Sequence, residues 1–80
     1  MILYFKDRKG NRHKIAQFED GKSDKEYLDV AHKEIMRFCD MRGYTIPYVR
    51  IWNKRHDGEL VTTFDVGSHT EIFFLSKRVN

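Results

Sequence analysis

Ser23-Asp24-Lys25-Glu26-Tyr27-Leu28-Asp29-Val30-Ala31-His32-Lys33-Glu34-Ile35-Met36-Arg37-Phe38-Cys39-Asp40-Met41-Arg42-Gly43 is the stretch on which the fold reading turns. Ser23 and Glu26 stand at the spacing of a capping box, in which the serine hydroxyl accepts from the Glu26 N–H and the glutamate reaches back to Ser23. Gly43 stands where a glycine of positive φ ends a helix. Asp24, Glu26 and Asp29 fall in the first half, and Lys33, Arg37 and Arg42 in the second, the order that complements the macrodipole. The stretch therefore predicts a helix over about residues 24–42. Turning ~100° per residue collects Leu28, Ala31, Ile35, Phe38 and Cys39 on one stripe with Tyr27 on its flank. Glu26, Lys33 and Arg37 point the other way, and Val30 and Met41 fall near the polar side.

Outward from the helix the period changes from 3.6 toward 2. On the N-terminal side, Ile2 to Lys6 and Arg12 to Phe18 read as two strands of a hairpin around Arg8-Lys9-Gly10-Asn11. Beyond Gly43, Tyr44 to Asn53 reads as a strand. Thr45, Pro47, Val49 and Ile51 share one of its faces, and Ile46, Tyr48, Arg50 and Trp52 the other. Pro47 cannot donate to a ladder, which assigns that end to an edge. Lys54-Arg55-His56-Asp57-Gly58 reads as a hairpin loop, with Asp57-Gly58 as its turn signal. Glu59 to Val66 follows, with Leu60, Thr62, Phe64 and Val66 on one face. After a turn at Gly67-Ser68, Thr70 to Ser76 sets Ile72 and Phe74 against Phe73 and Leu75. Residues 76–80 read as a frayed tail.

The order is thus ββαβββ. It predicts a single α+β domain over residues 1–80, an antiparallel sheet with one helix packed on one face. One helix covers one face of a sheet, yet these strands carry apolar side chains on both. The expectation is an uncovered face available to a partner.

With 14% aromatic residues the chain can bury a core despite its 80 residues, which excludes disorder. Cys39 is the only cysteine, so no internal disulfide forms. Met1-Ile2-Leu3-Tyr4-Phe5 runs straight into charge rather than into a signal sequence, and no apolar run approaches a membrane span. A cytoplasmic setting with no membrane partner is expected. The net charge of +3 is unevenly spread. Residues 1–18 hold five bases and one acid, residues 19–41 four bases and seven acids, and residues 42–80 six bases and four acids.

Tyr48, Arg50 and Trp52 alternate on one strand face beside Lys54, Arg55 and His56. Rings on a sheet stack unpaired bases while flanking cations hold phosphates. Arg8, Lys9, Arg12, His13 and Lys14 of the first hairpin add to the basic set. The same residues have a plainer use as core aromatics and solvated loop charges. The element order and the lack of an aromatic-glycine motif set the chain apart from the RNA-recognition domain.

Gly67-Ser68-His69 leads into an apolar strand and follows a helix ending in Gly43-Tyr44. This tripeptide resembles the Gly-Ser-His segment of HicA-type toxin ribonucleases, whose histidine is catalytic. The resemblance implies His69 as general base or acid and Arg50 or Arg55 as stabiliser of a pentacovalent phosphorane. It covers few residues, and the chain departs from the family in having two strands before the tripeptide and two more at its N-terminus.

His13, His32, His56, His69 and Cys39 lack the paired spacing of a zinc site. His32 and Cys39 share a helix side but lie roughly 10 Å apart along the axis. Asp24, Glu26 and Asp29 serve the cap and dipole, and the five glycines are isolated rather than gathered in a phosphate loop. No cofactor is expected. The reading is a noncatalytic interaction module, binding nucleic acid or forming a homodimer through the uncovered face. The alternative is a small ribonuclease centred on His69.

Overall fold

The computed structural model describes residues 1–43, 49–56, 58–66 and 71–77. They form β1 (Ile2–Lys6), β2 (Arg12–Gln17), α1 (Asp24–Met41), β3 (Val49–His56), β4 (Glu59–Val66) and β5 (Glu71–Ser76). All strands lie in one antiparallel sheet of order β2-β1-β5-β4-β3. The α+β reading holds, with β2 and β3 at the edges.

The capping box forms as the sequence requires. Glu26 N donates to Ser23 Oγ at 3.2 Å, and Ser23 N donates to Glu26 Oε1 at 3.0 Å. Gly43 closes the helix at φ 72°, a backbone conformation that side chains with a Cβ resist. The buried stripe is Tyr27, Ala31, Ile35 and Cys39, with Leu28 and Phe38 only partly covered. Tyr27, expected on the flank of the stripe, is thus buried within it. Its hydroxyl donates to Glu19 O at 2.9 Å and so ties the loop before the helix to the helix.

The stripe packs on one face of the sheet, against Leu3, Phe5, Phe64, Val66, Phe73 and Leu75. Phe5, Phe38 and Phe73 meet at ring-centroid distances of 5.2, 5.2 and 5.4 Å. The Arg42 guanidinium lies 4.6 Å from the Phe38 centroid and caps this cluster at the helix end.

The second face departs from expectation. Ile2, Tyr4, Val61 and Phe74 form a core of their own there and are buried. His56, from the far end of the β3–β4 hairpin, lies on Phe74, and Arg12 of β2 lies over Tyr4 and Phe74. Among the described residues, β4 pairs with β5 over Thr63–Val66, and Glu59–Thr62 pairs with β3 alone. His56 is opposite Glu59 in that ladder. Thr63 lies four residues farther along, about 13 Å away in a straight strand. Yet His56 Nε2 and Thr63 Oγ1 are 3.1 Å apart, and the His56 ring stacks on Phe74 at 4.5 Å. The hairpin end therefore coils over the second face.

Two boundaries move for the same reason. β3 continues through His56, so Lys54, Arg55 and His56 belong to a strand rather than to a loop. Ser76 ends β5, as the strand reading through Ser76 expected and the tail reading from residue 76 did not. It is buried, and its hydroxyl donates to Glu59 Oε1 at 2.7 Å. The expectations for Pro47, Asp57, Gly67-Ser68 and residues 78–80 lie outside the described residues.

Two carboxylates tie this fold to pH. Hydrogen bonds from the Ser23 N–H and hydroxyl side hold Glu26 below its ordinary value of 4.5. The His13 ring, then the N–H groups of Asn11 and Lys9, hold Asp7 below 3.8. A depressed folded value stabilises the native state above the ordinary pKa, and that contribution disappears as pH falls through the folded value. Urea midpoints should therefore drop on acidification below about pH 4. Glu26→Gln should make that drop shallower, and Ser23→Ala should cost about 1 kcal/mol at pH 7. An acid limb unaltered by Glu26→Gln would contradict the assignment.

Candidate binding face

The register sorts the charged residues by face. Tyr4, Phe74, Thr63 and Trp52 form one row across four strands, and Lys6, Ile72, Asp65 and Arg50 form the next. Arg12 lies beside Lys6, and Lys14 beside Tyr4, because the ladder shifts between Leu3 and Tyr4. Strand alternation adds Lys54 and His56 from β3 and Glu59 from β4. Among the described residues, the face away from the helix thus presents Lys6, Arg12, Lys14, Arg50 and Lys54 against Glu59 and Asp65.

The centre of this face is closed to a stacking ligand. Tyr4 and Phe74 are 2% and 0% exposed. The Arg12 guanidinium sits 4.9 Å from the Phe74 centroid and 5.4 Å from that of Tyr4, so its flat surface is already used. His56 is buried beside it, with Lys6 Nζ 3.4 Å from Nδ1. Lysine has only donors, so Nδ1 accepts and Nε2–H donates to Thr63 Oγ1. The Thr63 hydroxyl then donates to Val61 O at 3.3 Å. Each hydrogen bond in this chain has a definite direction, which fixes the imidazole over Phe74.

The rim is open. Arg50, Ile51, Trp52, Asn53, Lys54 and Arg55 are all exposed along edge strand β3. Arg50, Trp52 and Lys54 share the outer side, and Trp52 keeps 38% of its surface in solvent. Arg55 projects to the other side, where a guanidinium N–H donates to Gly58 O at 3.2 Å. Val49 is half-buried against the helix-side core, whereas Ile51 on the same side is 49% exposed. The helix therefore covers only the first part of β3.

The first-hairpin candidates divide. Arg8 and Lys9 are exposed at the turn, whose shape comes from Asp7 Oδ1 accepting from the N–H groups of Lys9 and Asn11. Lys14 is exposed and donates to Gln17 Oε1 at 2.8 Å. These residues lie toward the β2 edge of the sheet, and β3 forms the other edge. The sheet brings Arg12 and Lys14 onto the face of Arg50 and Lys54, and Arg12 shares the Phe74 ring with His56 of β3. Tyr48 and His69 lie outside the described residues. Lys6 is the residue that sequence reasoning passed over, and His56, read there as a loop residue beside Lys54 and Arg55, proves to be a buried strand residue. The alternation of Arg50, Trp52 and Lys54, extended two positions, reaches His56.

Among the described residues, no group of three metal-ligating side chains forms, and no helix is long and apolar enough to cross a membrane. Cys39 is buried under the sheet, and loss of hydration pushes its thiol pKa up, with Glu71 adding to the shift and Arg42 opposing it. Comparison with family models, with curated proteins and with solved structures finds no match for this chain.

Two substitutions probe this arrangement. His56→Ala removes the cover of Phe74 and the partner of Thr63, and should cost about 2–4 kcal/mol in urea unfolding. A change within about 0.5 kcal/mol would show that the hairpin end is not held down by this residue. Cys39 should react with a thiol reagent only at the rate of unfolding. Complete labelling of the native protein within seconds would contradict its burial.

Proposed function

We propose that the protein is a noncatalytic module that binds single-stranded nucleic acid along β3. The observation that carries this reading is the segregation of charge between the two layers. Residues 19–41, which include the helix, hold seven acids and four bases. The opposite face presents five cations and two acids among its described residues, with Trp52 partly exposed between Arg50 and Lys54.

The physical roles follow from these positions. Arg50 and Lys54 supply phosphate contacts on either side of Trp52, whose ring is the one accessible stacking surface among the described residues of this face. Arg55 and Lys14 extend the positive field along the two edges, as do Arg8 and Lys9 at the turn. Contacts of this kind hold backbone and ring faces rather than base edges, so little sequence preference is expected.

The single tryptophan gives a direct signal. Titration with a 12-nucleotide single strand should quench Trp52 fluorescence, with affinity that falls as salt rises because binding releases counterions. Trp52→Ala should cost about 1–3 kcal/mol of binding. Arg50→Ala and Lys54→Ala should each reduce the salt slope by about one. No salt-sensitive binding at tens of micromolar protein would end this reading. The strand should remain intact throughout. Cleavage by wild type that disappears in His69→Ala would replace the module with the ribonuclease alternative.

A further inference from the structure

Phe74 makes two planar contacts on the outer face. The His56 ring lies nearly parallel to it, with 11° between the ring planes and 4.5 Å between centroids, and the Arg12 guanidinium lies 4.9 Å from its centroid. A flat heterocycle stacked in this way is what a nucleobase presents to an aromatic side chain. Phe74 also shares a row of the sheet with Trp52, with Thr63 between them. Resting on the reading of β3 as a nucleic-acid-binding strand, we infer that Phe74 is a second stacking position of that site and that the end of the β3–β4 hairpin is a strap that covers it.

The strap is held by side chains. Among the described residues, Glu59–Thr62 pairs with β3 alone, so no backbone ladder fastens this segment to β5. The ties to the rest of the sheet are the stack of His56 on Phe74, Lys6 Nζ at 3.4 Å from His56 Nδ1, and the Ser76 hydroxyl on Glu59.

The strap also has a second place to go. Its bend toward the outer face opens a groove of about 560 Å³ on the helix side, with Leu28 of α1, Ile51 of β3, Leu60 of β4 and Leu75 of β5 among its walls. Ile51 and Leu60 are 49% and 58% exposed there. Straightening the hairpin closes this groove with the hairpin's own residues. Ile51 and Leu60 then move toward Leu28, and Phe74 and Tyr4 are uncovered. Apolar surface gained on one face offsets that lost on the other, and a base stacked on Phe74 replaces the imidazole. An element with two such positions is one that a ligand can bias.

Nuclear magnetic resonance of His56 tests the strap directly. In the free protein the Phe74 ring current should hold a His56 ring proton upfield of its ordinary position. Saturation with a 12-nucleotide single strand should return that proton toward it. Two variants away from the path of the nucleic acid should change affinity in opposite directions. Ser76→Ala loosens the closed position and should tighten binding about threefold, because apparent affinity scales with the fraction of competent protein. Leu60→Ser removes the gain on straightening and should weaken binding about threefold, with the urea midpoint unchanged because Leu60 is exposed in the closed form. Salt-sensitive binding that quenches Trp52 but leaves the His56 proton upfield overturns the strap and leaves the β3 reading standing. So does binding whose affinity is indifferent to both variants. Absence of any salt-sensitive binding overturns the β3 reading and the strap together.

Discussion

The structure depends on one contact, the stacking of His56 on Phe74. Among the described residues, half of the β3–β4 hairpin extends beyond its pairing with β5, and an isolated two-stranded hairpin is marginal in water. Folding the free half back over the sheet supplies the missing contact. It sets His56 over Phe74 on the face that the helix cannot reach. The hydrogen bonds from Lys6 through His56 and Thr63 to Val61 give this cover a fixed position, and Ser76 to Glu59 adds a second tie.

The same bend has a consequence on the helix side. A hairpin drawn toward one face must leave the other, so Ile51 and Leu60 lose the cover that Val49 and Phe64 keep. Burying such a side chain is worth about 1.5–3 kcal/mol, so leaving two of them in solvent is a sizeable loss for a small domain. The structure thus exchanges a covered helix-side surface for a covered outer one. The chain folds with a second, smaller core at the expense of an apolar groove, and the groove and the basic rim of β3 arise from a single distortion of the sheet.

How much of this the sequence disclosed follows from the range of the interactions. The helix was fully legible because its signals are local: Ser23, Glu26 and Gly43 act within one turn of the backbone they control. Strand faces were legible wherever alternation was clean, as in Phe64 and Val66 or Phe73 and Leu75. The coil of the hairpin was not, because it depends on how far β5 follows β4 and on His56 meeting residues 50 and 18 positions away, Lys6 and Phe74. The turn signal at Asp57-Gly58 argued for an ordinary loop and drew Lys54, Arg55 and His56 into it. The outer face, expected to be uncovered, therefore proved closed at its centre. Of the proposed site, Trp52, Arg50 and Lys54 kept the exposed, alternating arrangement read from sequence, while Arg12 was already committed to packing on rings.

The cations of β3 have two physical uses, and they make different demands. A long edge strand presents unpaired backbone groups to any other strand, and Lys or Arg along it is a common means of preventing edge-to-edge association. Arg50, Lys54 and Arg55 satisfy that requirement by charge alone. Prevention asks nothing of Trp52, however, and a large ring left partly in solvent beside an open edge works against it. The ring has an inward alternative in principle, since Thr63 and Phe74 occupy its own row. Trp52 is instead held at the rim between two cations, at 38% exposure. Charge on β3 is explained by folding and solubility. The aromatic among the charges is not, and it is the residue on which the binding reading rests.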